Sequence, residues 1–284
     1  MSAVATAPGS VRGANPSRDL NRLPHSSKLS LLNHTTLNQH VTEALSSSDS
    51  VAIADSLNQN GFAVIPTVVD ASTVLDLTKA LERLPETDAV RLKGKTPFGI
   101  RNLLEVVPVT RRLAESDTFV SLVRIVLGEN AKLVSGLFFD KPPQANWKVA
   151  WHQDLTIAVE KRINLEGFGP WTTKAGVTHV QPPIAVLEGM LALQVHLDDC
   201  DTSNGALRVM SGSHKRGRLS QEAISECIKT ETPVVCEVPR GGILLMKPLL
   251  LHSSCVSAKP FHRRVIHFEF SSSELPEELS WYEN

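Results

Sequence analysis

The feature that most constrains the fold is a series of short apolar runs that starts at Lys132 and continues almost to the C-terminus. Turn-forming residues separate the runs, as in Asn204-Gly205 and Pro239-Arg240-Gly241-Gly242. Asn-Gly between two apolar runs is a strong β-hairpin signal. Many short strands at this density predict a β-sandwich or a β-barrel. The predicted strands are Leu133–Phe139, Trp147–Trp151, Leu191–Leu197, Ala206–Met210, Val234–Val238, Ile243–Lys247 and Val265–Phe270.

The first third of the chain carries helical patterns instead. Apolar residues recur there at helical spacing, between capping residues and helix-ending glycine or proline. A helical part followed by a β-rich remainder predicts a mainly β fold with flanking helices (α+β), built on a jelly roll. Helices are predicted up to Gly61, from Asp70 to Pro85 and from Arg111 to Leu127, with a strand at Phe62–Ile65 that Pro66 closes.

The predicted domain organisation is a tail followed by one folded domain. Residues 1–40 are polar and rich in Ser and Asn, and such a composition buries too little apolar surface to offset the entropy of ordering. They predict a disordered or flexible tail, and residues 41–284 predict a single domain. Within it, residues 160–186 predict a long irregular insertion, because Gly167–Trp171 and Gln181–Pro183 interrupt regular structure. Both an active-site lid and an ordinary solvated loop fit this segment.

The composition excludes several classes of partner. Lys and Arg number 29 against 30 Asp and Glu, so no basic surplus points to nucleic acid. No stretch is long and apolar enough to span a membrane. The four cysteines show no C-x-x-C pair and no zinc-finger spacing, which indicates reduced thiols and a cytoplasmic protein. The acid-poor N-terminus, with its Arg and Ser, leaves a mitochondrial location as the alternative. A small-molecule substrate is expected, and the oligomeric state is open.

The candidate chemistry lies in Trp151-His152-Gln153-Asp154. Because side chains two positions apart on a strand share a face, His152 and Asp154 are expected to project together. His252 follows another strand-like run much later in the chain. Two imidazoles and one carboxylate form the facial triad that binds Fe(II) and leaves coordination positions open. The sequence therefore predicts a metal site made of His152, Asp154 and His252.

A second copy of the H-x-D pattern competes with the first. His196 and Asp198 also share a face of a predicted strand, and sequence spacing alone allows them to bind a metal together with His252. For either copy, a hydrogen-bonded histidine beside a loop carboxylate is the simpler alternative.

Arg263-Arg264 is a further clue, on the strand that follows His252. A guanidinium can hold a carboxylate through two parallel hydrogen bonds. An enzyme that binds 2-oxoglutarate needs such a cation for the distal carboxylate of this cosubstrate. An arginine pair at the surface end of a strand is the alternative.

Three blocks of sequence, in this order, resemble the phytanoyl-CoA dioxygenase family of Fe(II)- and 2-oxoglutarate-dependent oxygenases. They are Asn146-Trp147 through Trp151-His152-Gln153-Asp154-Leu155-Thr156, Asn204-Gly205 through His214-Lys215, and Pro239-Arg240-Gly241-Gly242 leading through His252 to Arg263. The likeness runs from about Leu57 to Phe270.

The resemblance implies a double-stranded β-helix (jelly-roll, cupin-like) core, an Fe(II) cofactor, 2-oxoglutarate as cosubstrate and O₂. It assigns His152, Asp154 and His252 to the iron and so disfavours the rival strand. It implies that Arg263 holds 2-oxoglutarate, with Ser254 and Gln194 beside it. Arg263 is preferred by motif position alone, because the more apolar face of its strand (Ile266, Phe268 and Phe270) has the parity of Arg264.

The expected activity is the hydroxylation of an unactivated C–H bond in a small molecule, with release of succinate and CO₂. The carboxylate of Asp154 favours this outcome, since related halogenases lack a carboxylate there. Candidate substrate contacts are Arg101, Asn102, Trp171 and His179. Two other classes are open: a degenerate jelly-roll binding protein, and a cupin-type metal isomerase or lyase that does not use 2-oxoglutarate.

Overall fold

The computed structural model describes residues 46–143, 146–258 and 261–283. The predicted tail at residues 1–40 lies outside them, and so does the proposed targeting segment. In the described part of the chain, no helix is both long enough and apolar enough to cross a membrane.

The N-terminal part is mostly helical, and its helices begin and end at capping residues. The Ser46 side chain accepts a hydrogen bond from the backbone N–H of Asp49, while Gly61 closes the same helix in the left-handed conformation. The Asp70 carboxylate accepts the N–H groups at the start of the next long helix. The elements are α1 (Ser47–Asn60), β1 (Phe62–Ile65), α2 (Ala71–Glu82), β2 (Val90–Lys93), β3 (Thr96–Ile100), α3 (Leu103–Val106), α4 (Val109–Ala114) and α5 (Asp117–Leu127).

The remainder is rich in short strands, as predicted. Its strands are β4 (Lys132–Phe139), β5 (Val149–His152), β6 (Ile157–Val159), β7 (Trp171–Lys174), β8 (Val177–Val180), β9 (Met190–His196), β10 (Leu207–Val209), β11 (Val234–Cys236), β12 (Ile243–Met246), β13 (His252–Ser254) and β14 (Val265–Ser271). Its helices are α6 (Ile184–Glu188), a 3₁₀ turn (Ser213–Arg216) and α7 (Gln221–Thr230).

Two antiparallel sheets enclose the cavity described below. The larger has the strand order β1-β12-β9-β14-β4-β3-β2, and the smaller has the order β11-β10-β13-β5. The sheets and flanking helices confirm the predicted jelly-roll class. On β14 the apolar side chains of Ile266, Phe268 and Phe270 are buried, and the Phe268 ring packs edge-on against Phe119 of α5 at 6.3 Å. This face therefore packs against the helical layer, and the opposite face lines the cavity.

The hairpin prediction at Asn204-Gly205 is wrong. The strand before this turn, β9, belongs to the larger sheet, whereas the strand after it, β10, belongs to the smaller one. The Asn204 side chain explains the difference: it accepts a hydrogen bond from the N–H of Asp201 and donates one to the carbonyl of Asp199. These bonds close a wider loop that carries the chain from one sheet to the other.

The single helix predicted from Arg111 to Leu127 is also wrong, because the segment forms α4 and α5. Ser116 lies between them in an extended conformation, and its hydroxyl donates to the carbonyl of Leu113 at 2.7 Å. A side-chain bond of this kind gives a hydrogen-bond donor to a carbonyl at the end of one helix. The chain can then turn before the next helix begins.

The insertion at residues 160–186 is not irregular, contrary to the prediction. It contains the hairpin of β7 and β8, and β8 pairs with β6 to form a third sheet in the order β6-β8-β7. Val180 and Ile157 belong to a buried apolar cluster beneath it, which also includes Trp281. Most glycines and prolines of the insertion lie before β7 or after β8, so they mark the ends of the hairpin and do not prevent it from forming. A lid function stays a prediction.

The backbone around Gly241 provides a test of the fold. Its carbonyl accepts the N–H groups of both Val68 and Val69, at 3.0 and 2.9 Å. Its φ is +79°, and a Cβ added there would lie 2.2 Å from the carbonyl oxygen of Val69. We expect Gly241→Ala to lower the free energy of unfolding by about 2–4 kcal/mol, as measured by denaturant titration.

Gly94→Ala is the matched control. Gly94 also has a positive φ, +63°, but a Cβ there meets nothing within 4 Å. Only the backbone cost remains, so a loss of about 1 kcal/mol is expected. Equal losses for the two variants would show that the contact with Val69 does not constrain the chain.

Candidate metal centre

Two histidines face each other on neighbouring strands of the smaller sheet. β5 and β13 are antiparallel, and His152 is the direct cross-strand partner of His252. Side chains of directly opposed residues project from the same face of a sheet. The two imidazole rings accordingly lie 4.2 Å apart between centroids. Two predicted ligands are thus brought together by strand pairing alone.

Each ring is oriented by a carbonyl two residues earlier in the chain. His152 Nδ1 lies 2.9 Å from the carbonyl oxygen of Ala150, and His252 Nδ1 lies 2.8 Å from that of Leu250. A carbonyl can only accept, so in a neutral ring the proton resides on Nδ1. Both Nε2 lone pairs are therefore free, which is the tautomer that a metal-binding imidazole requires.

Asp154 completes the group from the loop that follows β5. Its carboxylate oxygens lie 3.7 Å from His152 Nε2 and 3.8 Å from His252 Nε2. One ligand atom from each of the three residues falls within 4.8 Å of the others. The donor set of two imidazoles and one carboxylate fits Fe(II) with open positions. Among the described residues, this is the group of three that could hold a metal ion.

Backbone and amide contacts fix the loop that carries Asp154. Its N–H donates to the carbonyl of Pro248 at 2.9 Å. The intervening Gln153 is buried, and its amide nitrogen donates to the carbonyls of Gly217 and Leu249 while its oxygen accepts the N–H of Leu219. These bonds tie the loop both to the segment that leads into β13 and to residues 217–219.

The protonation states suit a metal site. Burial lowers the pKa of His252 and thus favours the neutral ring. Burial acts against the charged form of Asp154, but His252, His267 and His152 together outweigh it and lower the pKa of this carboxyl. Both shifts favour the forms that bind a metal ion, which are the neutral imidazole and the ionised carboxylate.

The surroundings of the rival residues, His196 at the end of β9 and Asp198 just after it, do not suit a metal site. His196 is buried, and burial together with Arg263 lowers its pKa to about 3. Asp198 accepts two hydrogen bonds from the guanidinium of Arg264, at 2.9 and 2.7 Å. The rival acid is thus engaged in an ion pair.

The two adjacent arginines point to different surroundings. Arg264 is held by Asp198 and also pairs with Glu82 at 2.9 Å. Arg263 is buried and lines the cavity, together with Val265 and other side chains of the same parity. The ambiguity of parity arose because the apolar face of β14 packs against a helix, whereas its cavity face is polar.

Several contacts hold Arg263 in place. Asp140, which is buried, accepts its backbone N–H at 3.1 Å and lies 2.6 Å from Nδ1 of His262. One guanidinium nitrogen donates to the carbonyl of Gly205 at 2.7 Å, while the buried Nε has no partner among the described residues. A buried guanidinium with unused donors is a ready anchor for a carboxylate. Gly205 is needed here, since a Cβ would lie 2.6 Å from the carbonyl oxygen of Cys255.

Ser254 and Gln194 also line the cavity. The Ser254 hydroxyl accepts a hydrogen bond of 2.8 Å from Lys141, a fully buried lysine that also donates to the carbonyl of Cys255. Burial and the neighbouring Arg263 lower the pKa of Lys141 to about 7. The Gln194 amide contacts His267 at 3.2 Å. Sequence patterns did not identify Lys141, because a lone lysine next to a proline pair usually lies in solvent.

The cavity joins these groups in one space of about 460 Å³. Of the four predicted substrate contacts, the described lining includes Arg101 but not Asn102, Trp171 or His179. Trp171 instead packs on the apolar cluster beneath the β7–β8 hairpin, with Arg162 over its ring. The lining comprises Arg91, Phe98, Gly99, Ile100, Arg101, Leu137, Phe139, Trp147, Val149, His152, Asp154, Gln194, His196, Leu207, His252, Ser254, Arg263, Val265, His267 and Glu269.

The polar residues of β14 were missed at the sequence level. His267 and Glu269 both line the cavity, and their side chains lie 3.6 Å apart. Their shared parity with Arg263 was a usable signal. It was overlooked because an alternating strand is usually read with its apolar face toward the centre of the fold.

Comparison with known proteins gives matches at the level of family and of fold. The phytanoyl-CoA dioxygenase (PhyH) family model matches residues 57–264. Ectoine dioxygenase from Stutzerimonas stutzeri (strain A1501) is 23% identical over 171 residues, which cover 57% of this chain and 50% of that protein. The chain thus spans about half the length of this curated relative.

Solved structures share the fold at low sequence identity. EctD from S. alaskensis, crystallised with 2-oxoglutarate and 5-hydroxyectoine, has a TM-score of 0.60 and 20% identity, covering 80% of this chain and 76% of its own. The carbocyclase SnoK from nogalamycin biosynthesis has a TM-score of 0.62 and 14% identity, with coverages of 84% and 87%. HygX from Streptomyces hygroscopicus, with nickel and 2-oxoglutarate, has a TM-score of 0.57 and 22% identity, with coverages of 82% and 90%.

The family match covers more than two thirds of the chain and includes both strands of the metal centre and Arg263. It confirms the resemblance seen in the three sequence blocks. The chain belongs to the phytanoyl-CoA dioxygenase family.

Proposed function

We propose that this protein is an Fe(II)- and 2-oxoglutarate-dependent oxygenase that hydroxylates an unactivated C–H bond of a small molecule. The observation that carries the proposal is the shared cavity: a His-Asp-His group and a buried, incompletely paired Arg263 line the same space. Such a cavity can hold a metal ion and a dicarboxylate side by side. Its volume is typical of small-molecule sites.

His152, Asp154 and His252 would hold the iron. Bound iron and 2-oxoglutarate supply the activation of O₂ and the oxidation of the C–H bond, with release of succinate and CO₂. The protein contributes fixed ligand geometry: the carbonyls of Ala150 and Leu250 hold the rings in one tautomer.

Arg263 and Ser254 would hold the distal carboxylate of 2-oxoglutarate. The guanidinium is fixed by the carbonyl of Gly205, and the backbone beneath it is fixed by Asp140. Lys141 donates to the Ser254 hydroxyl, so that the hydroxyl proton is free to point to a carboxylate. Gln194 would border the cosubstrate on the β9 side.

Two alternative functions are disfavoured. A degenerate binding protein has no need for two rings held in a metal-binding tautomer. A cupin-type isomerase or lyase has no need for a buried cation whose Nε is unpaired.

The neighbouring structures include a carbocyclase as well as EctD. Hydroxylation is proposed because the curated relative is a dioxygenase.

We further propose a cytoplasmic location. All four cysteines are free, as expected in a reducing compartment. The mitochondrial alternative rests on residues outside the described part of the chain.

The metal ligands provide the first test. We expect His152→Ala or His252→Ala to reduce bound Fe(II), after anaerobic loading and desalting, to less than about a tenth of wild type and to abolish 2-oxoglutarate turnover. Removing one of three ligands leaves too few donors to hold the ion. His196→Ala is the control: it also removes an imidazole from the cavity wall but should retain iron. Loss of iron in His196→Ala, with retention in His152→Ala, would assign the site to β9.

The cosubstrate anchor provides the second test. We expect Arg263→Lys to raise the Michaelis constant for uncoupled 2-oxoglutarate turnover by about tenfold or more, with iron content unchanged. Lysine keeps the charge but loses the planar pair of donors that meets a carboxylate. Charge-assisted hydrogen bonds of this kind are worth roughly 1.5–3 kcal/mol.

Arg264→Lys is its matched control, because it makes the same change one position later. Arg264 is paired with Asp198 and Glu82, so the Michaelis constant should stay near that of wild type. A large effect at Arg264 with none at Arg263 would contradict the proposed anchor.

A further inference from the structure

The cavity contains a second set of charged side chains that iron and 2-oxoglutarate do not use. Arg91 on β2 and Arg101, just after β3, both line it, as does Glu269 on β14. Arg91 is exposed at the rim, whereas Arg101 is half-buried. Arg91 on β2 pairs with Gly99 on β3, two positions before Arg101, and both arginines line the same cavity.

Neither guanidinium is neutralised within the described part of the chain. No hydrogen bond or ion pair is found there for the side chain of Arg91 or Arg101, and Glu269 pairs with His267 at 3.6 Å. Burial and the charge of Arg91 lower the pKa of Arg101, and Glu269 offsets this only in part. Because Arg101 is half-buried, water screens its repulsion from Arg91 only in part, and an anion bound to both would relieve that repulsion.

The charges at the metal end, in contrast, balance if the proposed function is correct, and the inference rests on that function. Fe(II) and Arg263 would be neutralised by Asp154 and the two carboxylates of 2-oxoglutarate. The rest of the cavity wall then carries two positive charges, on Arg91 and Arg101, and one negative charge, on Glu269. Lys174 lies near this region as well, since burial and the charge of Arg101 both lower its pKa. The cosubstrate therefore leaves a net positive charge on this part of the cavity wall.

Apolar side chains adjoin this positive region. Phe98 and Trp147 both line the cavity and pack edge-on, with ring centroids 5.7 Å apart. Phe139, Ile100 and Leu137 continue the apolar wall. A ligand with an apolar body and one anionic group would satisfy both parts of the wall.

We propose that the substrate of this enzyme carries a carboxylate or phosphate group, held by Arg101 and Arg91, on an apolar body that packs against Phe98 and Trp147. Guanidinium groups suit both anions, because they donate parallel hydrogen bonds to paired oxygens. A neutral apolar molecule of the same shape would leave the two cations unpaired.

The test is isothermal titration of the anaerobic Fe(II)–2-oxoglutarate holoenzyme with three phenyl compounds of similar shape. The probes are 3-phenylpropanoate, 2-phenylethyl phosphate and the neutral 3-phenylpropanamide. We expect at least one anion to bind about tenfold or more tightly than the amide. The tighter anion identifies carboxylate or phosphate as the group that is recognised. Equal binding of the amide and both anions would overturn the proposal.

Variants locate the binding group. Arg101→Gln should weaken anion binding by about tenfold and leave amide binding unchanged. Lys93→Gln removes a positive charge from the same hairpin at an exposed position outside the described lining, and it should have no effect. Arg91→Gln, at the exposed rim, serves as a second variant if Arg101→Gln does not fold, and a several-fold loss is expected. Anion preference unaltered in both arginine variants would overturn the proposal.

The visible absorption band of the iron–2-oxoglutarate complex, recorded in the same samples, separates two kinds of failure. If the band is present and stays constant during titration, the probe does not displace the cosubstrate, and the binding data concern the substrate region alone. If the band never forms, the proposed function fails, and this inference fails with it.

Discussion

The pairing of His152 with His252 across two antiparallel strands is the contact on which the candidate site depends. It brings residues far apart in sequence to adjacent positions, and the carbonyls of Ala150 and Leu250 then leave both Nε2 atoms available. Asp154 needs no separate element, because Gln153 and the carbonyl of Pro248 anchor its loop to the segment that leads into β13. A shift of one residue in this register would turn one ring away from the other.

The two faces of β14 explain how the fold separates stability from chemistry. One face is apolar and packs against α5 through Phe268 and Phe119. The other face carries His267 and Glu269, in line with Arg263. Buried charge on this side is costly unless it is paired. Asp198 neutralises Arg264 outside the cavity, whereas Arg263 keeps donors unused inside it. The unpaired groups of the wall thus mark where ligands are expected.

Sequence reasoning succeeded where local patterns agree with tertiary structure. The longer strands of the β-rich part and the caps at Asp70 and Gly61 follow from local spacing. Sequence reasoning failed where contacts between residues far apart in the chain determine the local structure. Asn204 closes a crossover between sheets instead of a hairpin, and the short strand β8 pairs with both β7 and the more distant β6. The burial of Lys141 depends on Ser254 and Cys255, which are remote in sequence. No local pattern encodes such contacts.

Anaerobic titration with Fe(II) and then 2-oxoglutarate tests the central claim most directly. If the His-Asp-His group and Arg263 act together, a weak visible charge-transfer band should appear only when both ligands are present, and it should saturate near one equivalent of iron. The band would report that 2-oxoglutarate binds directly to iron held by the protein. Iron binding without a band at any 2-oxoglutarate concentration would contradict the claim and would favour a metal isomerase or lyase.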